Sequence, residues 1–198
     1  MDCGNVALAI LAAGQGSRFG GRKLEATIND QMIGTMTAAR LGGLNFGARF
    51  VVADPTHGEL SEKFAALGFA LVANDQSAAG LSRSVSLAAQ AAKNTKMQAL
   101  LICLADMPNV PPEHIAEMVA ALGNGTRVIS SSLDEMPMPP ALFPRALWAR
   151  LEILSGGEGA KPLLADAILI KADAWSMADV DIVEDLAAIA DAWPQAPR

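Results

Sequence analysis

Glycines and basic residues cluster directly after the first apolar run of the chain, in AGQGSRFGGRK (residues 13–23, here called the basic loop). The glycines of this loop are Gly14, Gly16, Gly20 and Gly21. Glycine lets the backbone turn tightly and point its N–H groups at an anion. Arg18 and Lys23 add full positive charges, and a guanidinium can grip phosphate oxygens through two parallel hydrogen bonds. The loop therefore predicts phosphate binding, with a solvated surface turn as the alternative.

Two common nucleotide-binding patterns do not fit the basic loop. A dinucleotide fingerprint G-x-G-x-x-G beginning at Gly14 would need glycine where Phe19 stands. A Walker P-loop beginning at Gly16 reaches Gly21 but then continues as RKL, without the required Lys followed by Ser or Thr. Any phosphate binding by this loop must follow another pattern.

Acidic residues form the second group with chemical potential. Asp106 ends the apolar run QALLICLAD, where a carboxylate can bind Mg²⁺ alongside phosphates or, alternatively, accept hydrogen bonds from loop N–H groups. The later segment DVDIVEDL carries Asp179, Asp181, Glu184 and Asp185, for which a helix cap is the alternative role. Combined with the basic loop, these carboxylates predict metal-assisted transfer at a phosphate.

Strand-like and helix-like segments alternate along the chain and must position these groups. The predicted strands are residues 6–13, 48–54, 69–74, 98–106, 127–132 and 167–173. The predicted helices are residues 30–42, 58–68, 80–93, 111–125, 144–154 and 183–193. Proline-rich and glycine-rich loops are expected at residues 134–140 and 155–161. This alternation predicts an α/β fold with a mostly parallel sheet and helices on both faces, whose ligands bind beyond the carboxyl ends of the strands.

Bulk properties narrow the class of protein. A chain of 198 residues that is 52% hydrophobic predicts one domain with a substantial core. The net charge of −6 argues against nucleic-acid binding, and no apolar run is long enough to cross a membrane. Cys3 and Cys103 lack metal-ligand or disulfide spacing, so we expect a cytoplasmic protein.

The motifs, in this order, resemble the MobA-like nucleotidyltransferase family, and most closely its molybdenum cofactor cytidylyltransferases. The family patterns L-A-[AG]-G-x-[GS]-x-R-[FM]-G-x-x-K, G-[LM]-[SA]-x-S and [LG]-x-D-M-P resemble LAAGQGSRFGGRK, GLSRS and LADMP of this chain. Weaker similarities follow in the tail, in PALF, GGEGAK and DVDIVEDL. The resemblance covers nearly the whole chain and implies a single-domain, Rossmann-like nucleotidyltransferase fold.

The resemblance also implies an enzyme that moves a nucleoside monophosphate from an NTP to a phosphorylated acceptor and releases pyrophosphate. It implies a nucleotide-binding part at about residues 1–110 and an acceptor-side part at about 111–198. The implied nucleotide-binding residues are Leu11, Ala12, Ala13, Gly14, Gly16, Ser17, Arg18, Lys23, Asn74, Gly80, Ser82 and Asp106. Arg18, Lys23 and Asp106 would be catalytic, and Asp106 and Asp181 would bind Mg²⁺.

The choice of nucleotide base and the choice of acceptor are indicated by fewer residues than nucleotide binding is. Ala13 resembles the cytidylyl members, so CTP is expected, with a guanylyltransferase of the same pathway as the alternative. The expected acceptor is molybdopterin or the molybdenum cofactor, with transient contact to a molybdoenzyme or its chaperone. Two departures lie on the acceptor side: Met138-Pro139-Pro140 replaces Gly-His-Pro, and Gly157 replaces an Asp. Two alternatives therefore remain: the acceptor is a sugar or polyol phosphate, or the protein is a nucleotide-binding module without catalytic activity.

No side chain is expected to act as a general base, because an acceptor phosphate is already ionised near neutral pH. His57 and His114 are accordingly expected to be solvated.

Overall fold

Strands and helices alternate to build a seven-stranded sheet that is covered on both faces. The computed structural model describes residues 2–14, 19, 21–123, 125–182, 185, 186 and 189. The strands are β1 (Asp2–Ala12), β2 (Thr27–Ile28), β3 (Gln31–Met32), β4 (Asn45–Ala53), β5 (Ala70–Ala73), β6 (Ala99–Leu104), β7 (Ile129–Leu133), β8 (Met136–Pro144) and β9 (Ile168–Lys171). The helices are α1 (Ile33–Leu41), α2 (Gly58–Ala66), α3 (Leu81–Lys93), α4 (Pro112–Leu122) and α5 (Trp148–Glu152).

The sheet has the strand order β5-β4-β1-β6-β8-β7-β9, and β2 and β3 form a separate hairpin. Strands β5, β4, β1 and β6 are parallel, β8 runs antiparallel to both of its neighbours, and β9 is parallel to β7. Leu11 of β1 pairs with Leu104 of β6, so these two strands end side by side. The predicted mostly parallel α/β fold is confirmed, and the segments after β1 and β6 are neighbours.

The core lies on both sides of β1. Leu8 and Ile10 pack into one buried cluster together with α2 and α4, whereas Ala7 and Ala9 pack into a second cluster with α3 and α5. Alternate residues of a strand point to opposite faces, so a central strand covered on both faces must be apolar throughout. This explains the unbroken apolar run from Val6 to Ala13.

The proline-rich segment that was expected to be a loop at residues 134–140 is largely strand β8. Proline cannot donate to a ladder and is tolerated in sheets at irregular positions. Here the β7–β8 register shifts between Ser130 and Ser131, and the hydroxyls of these serines donate to the carbonyls of Met138 and Pro140, both at 3.0 Å. Serine side chains therefore bond the carbonyl groups of β8 where the regular ladder is interrupted.

The helix that was expected to begin at Asp30 begins at Ile33 instead. Asn29 and Asp30 have φ values of 50° and 64° and form the turn between β2 and β3. Both residue types tolerate this left-handed conformation. The predicted closing helix at residues 183–193 lies largely outside the described residues.

His114 is buried, contrary to the expectation of a solvated side chain. Its Nε2 atom is hydrogen-bonded to the Ser131 hydroxyl at 2.8 Å, between α4 and β7. Burial lowers the pKa of His114, although the nearby carboxylates of Glu117 and Asp173 act in the opposite direction.

None of the described helices combines the length and apolarity needed to span a membrane.

Candidate active site

Lys23 lies between two carboxylates that are distant in sequence. Its Nζ atom is 2.7 Å from Oδ2 of Asp106 and 3.4 Å from Oδ1 of Asp181. The lysine side chain is 9% exposed, the Asp106 side chain 23% and the Asp181 side chain 44%, so the group opens outward on the Asp181 side. Three residues predicted to serve one reaction therefore lie in direct contact, and we call them the Lys23 cluster.

Backbone hydrogen bonds fix the segments that carry this cluster. The Ala105 N–H donates to the Leu11 carbonyl at 3.1 Å, which ties the end of β6 to the end of β1. The Val180 N–H donates to the Asp106 carbonyl at 2.9 Å, which holds the Asp181 segment beside Asp106. Strand pairing thus places Asp106, and the bond from Val180, together with burial of the Val180 side chain against Ile33, holds the Asp181 segment.

Asp185 fixes the turn that presents Asp181. One oxygen of its carboxylate accepts hydrogen bonds from the backbone N–H groups of Asp181 and Ile182, at 2.8 and 2.9 Å. Both hydrogen bonds lower the pKa of Asp185, and the bond from the Ile182 N–H contributes more than the bond from the Asp181 N–H. The capping alternative for this acidic segment therefore describes Asp185, whereas the Asp181 side chain points to Lys23.

The electrostatics of the cluster favour a charged lysine. Burial acts to lower the pKa of Lys23, but attraction to Asp106 and then to Asp181 outweighs burial and raises that pKa above its usual value. Asp179 lies beside the cluster, and partial burial together with repulsion from Asp181 and Asp106 raises its pKa. The Lys23 ammonium therefore offsets the negative charge of the carboxylates that gather at this end of the sheet.

The donor set of the cluster suits a hard divalent cation that also binds phosphate. Mg²⁺ is commonly held by one or two carboxylates together with substrate phosphate oxygens and water. Asp106 and Asp181 converge on one point, as their shared contact with Lys23 demonstrates. Within the described part of the chain, no group of three or more His, Cys, Asp or Glu side chains is placed to hold a metal ion, so substrate oxygens or water would have to complete a site at these two carboxylates.

A cleft of about 190 Å³ lies next to the cluster, at the carboxyl ends of β1 and β6. Its lining residues are Leu11, Ala13, Gly14, Lys23, Leu24, Leu81, Ser84, Leu104 and Asp106. Five of these were predicted from the sequence, and the fold brings them to one cavity. Leu24, Leu81, Ser84 and Leu104 were not predicted individually, although Leu81 and Ser84 belong to the GLSRS motif.

Other predicted residues lie close by but are engaged within the protein. Asn74 is fully buried, and its amide donates to the Ser84 hydroxyl at 3.0 Å. The Ser82 hydroxyl donates to the Gly159 carbonyl at 3.2 Å, and the Ala12 side chain packs in the core. These contacts suit residues that position the cleft wall. Gly16, Ser17, Arg18, Gly20 and Glu184 lie outside the described residues.

Gly80 joins the GLSRS segment to SGGEGAK (residues 155–161, here called the SGGEGAK loop). Its φ is 95°, and a Cβ at this position would lie 2.6 Å from the Gly156 carbonyl oxygen. A side chain is therefore excluded both by backbone conformation and by space. Glycine at this position lets the start of α3 approach the SGGEGAK loop closely.

Glu25 and His57 form a second contact that the sequence did not predict. Oε1 of Glu25 lies 2.6 Å from Nδ1 of His57, and Oε2 lies 3.2 Å from Nη1 of Arg22. His57 is thus partly buried rather than freely solvated. This pair attaches the short turn that begins with Lys23 to the segment between β4 and α2.

Comparisons with known proteins agree with this architecture. The family described as MobA-like NTP transferase domain matches residues 8–174. The purine catabolism protein PucB of Bacillus subtilis is 27% identical over 188 residues, which cover 88% of this chain and 91% of that protein. A nucleotidyl transferase from Methanothermobacter superposes with a TM-score of 0.79 at 21% identity, over 97% of this chain and 99% of that one. Rv0371c of Mycobacterium tuberculosis, in a complex with manganese, superposes with a TM-score of 0.71 at 20% identity, over 94% of this chain and 98% of that one.

Proposed function

The chain belongs to the MobA-like NTP transferase domain family, and on this premise we propose that it moves CMP from CTP onto the phosphate of molybdopterin or the molybdenum cofactor. The supporting observation is the Lys23 cluster, in which a buried ammonium contacts two carboxylates at the carboxyl ends of parallel strands. Nucleotidyl transfer needs this combination of cationic and cation-binding groups because negative charge accumulates around the α-phosphorus.

In the proposed reaction an acceptor phosphate oxygen forms a bond to the α-phosphorus of CTP. The bond between the α-phosphorus and the bridging oxygen to the β-phosphorus breaks, and pyrophosphate leaves with that electron pair. Such reactions depend on positioning and charge neutralisation more than on covalent chemistry by the protein. No described histidine is needed as a base, since the attacking phosphate is already ionised.

The chain's own residues divide this work. Lys23, together with Arg18 and the glycine N–H groups of the basic loop, would offset charge on the triphosphate and the departing pyrophosphate. Asp106 and Asp181 would hold Mg²⁺, which when bound supplies charge neutralisation at the α-phosphate and the acceptor phosphate. Asn74 and the GLSRS segment would keep the cleft wall in place beside the nucleoside.

The proposed choice of cytosine rests on Ala13. Its side chain is buried and lines the cleft, so its methyl group takes space that a larger purine base would need. We expect Ala13→Gly to improve GTP binding relative to CTP binding, measured by calorimetry with Mg²⁺. Unchanged discrimination in this variant would remove the argument for CTP.

Acceptor binding is proposed for the side formed by residues 111–198, while residues 1–110 provide most of the nucleotide cleft. In this proposal the acceptor phosphate would lie near Asp181, and the rest of the acceptor would lie beyond Leu81 and Leu104. The transient partner in this proposal is a molybdoenzyme or its chaperone, which would receive the finished product. PucB carries a name from purine catabolism, which does not identify an acceptor for this chain.

The test is a screen of NTPs against acceptors, read out as pyrophosphate. We expect release to require CTP, Mg²⁺ and molybdopterin or the molybdenum cofactor together. Release with GTP and the same acceptor would favour a guanylyltransferase, and release with a sugar or polyol phosphate would change the acceptor class. Nucleotide binding without release for any pair would instead indicate a non-catalytic nucleotide-binding module.

A further inference from the structure

A second cavity, of about 340 Å³, continues from the nucleotide cleft toward the C-terminal half of the fold. The two cavities share Leu11, Leu81 and Leu104 in their walls. The volume falls within the range of small-molecule sites in proteins. A ligand in the second cavity would therefore extend directly from the Lys23 cluster.

The wall of this cavity, here called the apolar cavity, offers little to a polar ligand. Its described lining consists of twelve apolar residues and two charged ones, Glu158 and Lys161. The apolar members are Leu11, Leu81, Val85, Ile102, Leu104, Pro137, Met138, Pro139, Ala141, Phe143, Ala160 and Leu164. Both charged residues are exposed, so they stand at the rim of the cavity rather than at its floor.

Strand β8 makes this wall unusually poor in hydrogen-bond donors. Pro137 and Pro139 lack backbone N–H groups, and Ala141 and Phe143 follow on the same face of the strand with carbon side chains. The opposite wall is formed by Val85 of α3, Ala160 of the SGGEGAK loop and Leu164 after that loop. A hydroxyl-rich ligand would lose its water here without gaining partners, which is unfavourable.

We infer that the apolar cavity receives the carbon skeleton of the acceptor, and that the acceptor is a phosphate ester whose skeleton is predominantly apolar or presents ring faces. The inference rests on the proposed function, because it assigns the cavity to the acceptor of the same reaction. The ester phosphate points to the Lys23 cluster, and the skeleton packs between β8 and α3. Lys161 at the rim can meet one further anionic group. Sugar and polyol phosphates should bind this wall less well, because their hydroxyl groups would find few hydrogen-bond partners there.

Binding of model phosphate esters tests the inference without depending on turnover. In the presence of CTP and Mg²⁺, 2-naphthyl phosphate should bind at least about tenfold more tightly than ribose 5-phosphate, because it pairs an apolar skeleton with an apolar wall. Calorimetry measures both affinities. Equal affinity, or tighter binding of ribose 5-phosphate, would overturn the inference.

Variants that fill the cavity locate the binding. Ala141→Leu adds carbon from the β8 wall, Ala160→Leu adds it from the facing wall, and each should weaken naphthyl phosphate binding by about tenfold or more. Ala146→Leu is the matched control, because Ala146 is exposed just after β8 and should leave affinity unchanged. Should Ala141→Leu fail to fold, Ala160→Leu decides. Unchanged affinity in a folded cavity variant contradicts the assignment.

The same series separates this inference from the proposed function. One outcome is that the cavity variants lose naphthyl phosphate binding while no pair of NTP and acceptor releases pyrophosphate. That result would support the cavity as a binding site for apolar phosphate esters and would reject the transferase proposal. Pyrophosphate release that requires a sugar phosphate would support nucleotidyltransferase activity and reject the inference of an apolar acceptor.

Discussion

The Nζ atom of Lys23 lies 2.7 Å from Oδ2 of Asp106, where β1 and β6 end side by side. The two residues are 83 positions apart in sequence: Asp106 follows strand β6, whereas Lys23 begins the short turn Lys23–Glu25. The lysine is nearly buried, and Asp181 approaches it from a third segment at 3.4 Å. Two carboxylates therefore hold the Lys23 ammonium in one position, as the active site proposed here requires.

Removal of the Lys23 ammonium should impair turnover strongly. We expect Lys23→Ala to lower kcat/KM for nucleotidyl transfer by at least ~100-fold, the loss typical when a key electrostatic group is removed. Lys93→Ala is the control, because Lys93 pairs with Glu152 at 3.0 Å and is 59% exposed. Pyrophosphate release measures both variants, and near-normal activity of folded Lys23→Ala would exclude a catalytic role for Lys23.

Cation binding should respond to the same lysine in the opposite direction. The ammonium already neutralises the two carboxylates, so Mn²⁺ alone should bind weakly to the unaltered protein. In Lys23→Met the carboxylates lack that counter-charge, and Mn²⁺ affinity without nucleotide should rise by about tenfold or more. Electron paramagnetic resonance of free Mn²⁺ measures the difference. A weaker or unchanged affinity would mean that Asp106 and Asp181 do not form a cation site.

The conformation of Gly80 should be essential for stability. Its φ of 95° and ψ of 173° lie in a region that is almost restricted to glycine, and the nearest carbonyl leaves no room for a methyl group. Gly80→Ala should lower the free energy of unfolding by at least about 2 kcal/mol. Gly58→Ala is the matched control, because a Cβ there meets nothing within 4 Å. Urea unfolding of the two variants gives the comparison, and equal stabilities would contradict the described backbone.

Stability should fall on mild acidification because of His114. Its folded pKa is lowered, so the unfolded chain takes up the proton first as the pH falls through about 6.5. Above that pH His114 is neutral in both the folded and the unfolded state, so it does not change the free energy of unfolding with pH. Below that pH the unfolded chain binds a proton that the folded chain does not, and the free energy of unfolding falls. In His114→Gln the melting temperature should drop less between pH 7.5 and pH 5.5 than in the unaltered protein. Identical drops would show that His114 does not contribute to the pH dependence.

The sequence predicts the parallel core well because the signals there are local. The apolar run before Ala13, and glycines that end helices, such as Gly68 with a φ of 80°, have few other structural meanings. Strand β8 escaped prediction because its prolines indicate a loop, and the Ser130 and Ser131 hydroxyls that compensate belong to another strand.

The sequence singles out the residues of the proposed site, but it does not reveal their arrangement. Lys23, Asp106 and Asp181 stand out by residue type and by position next to strands or helices. Their direct contact depends on strand pairing and on the bond from Val180 to Asp106, which no local pattern reveals. The apolar cavity likewise needs β8, α3 and the SGGEGAK loop together, and these are far apart in sequence.

Pyrophosphate release by Asp106→Asn tests the central claim most directly, because Asp106 contacts Lys23, lines the cleft and is a proposed cation ligand. With CTP, Mg²⁺ and an acceptor that supports turnover, this variant should be at least ~100-fold slower than the unaltered protein. Asp166→Asn, at an exposed position that is not among the cleft-lining residues, should match the unaltered protein. Folded Asp106→Asn that releases pyrophosphate at the normal rate would contradict the assignment of the active site.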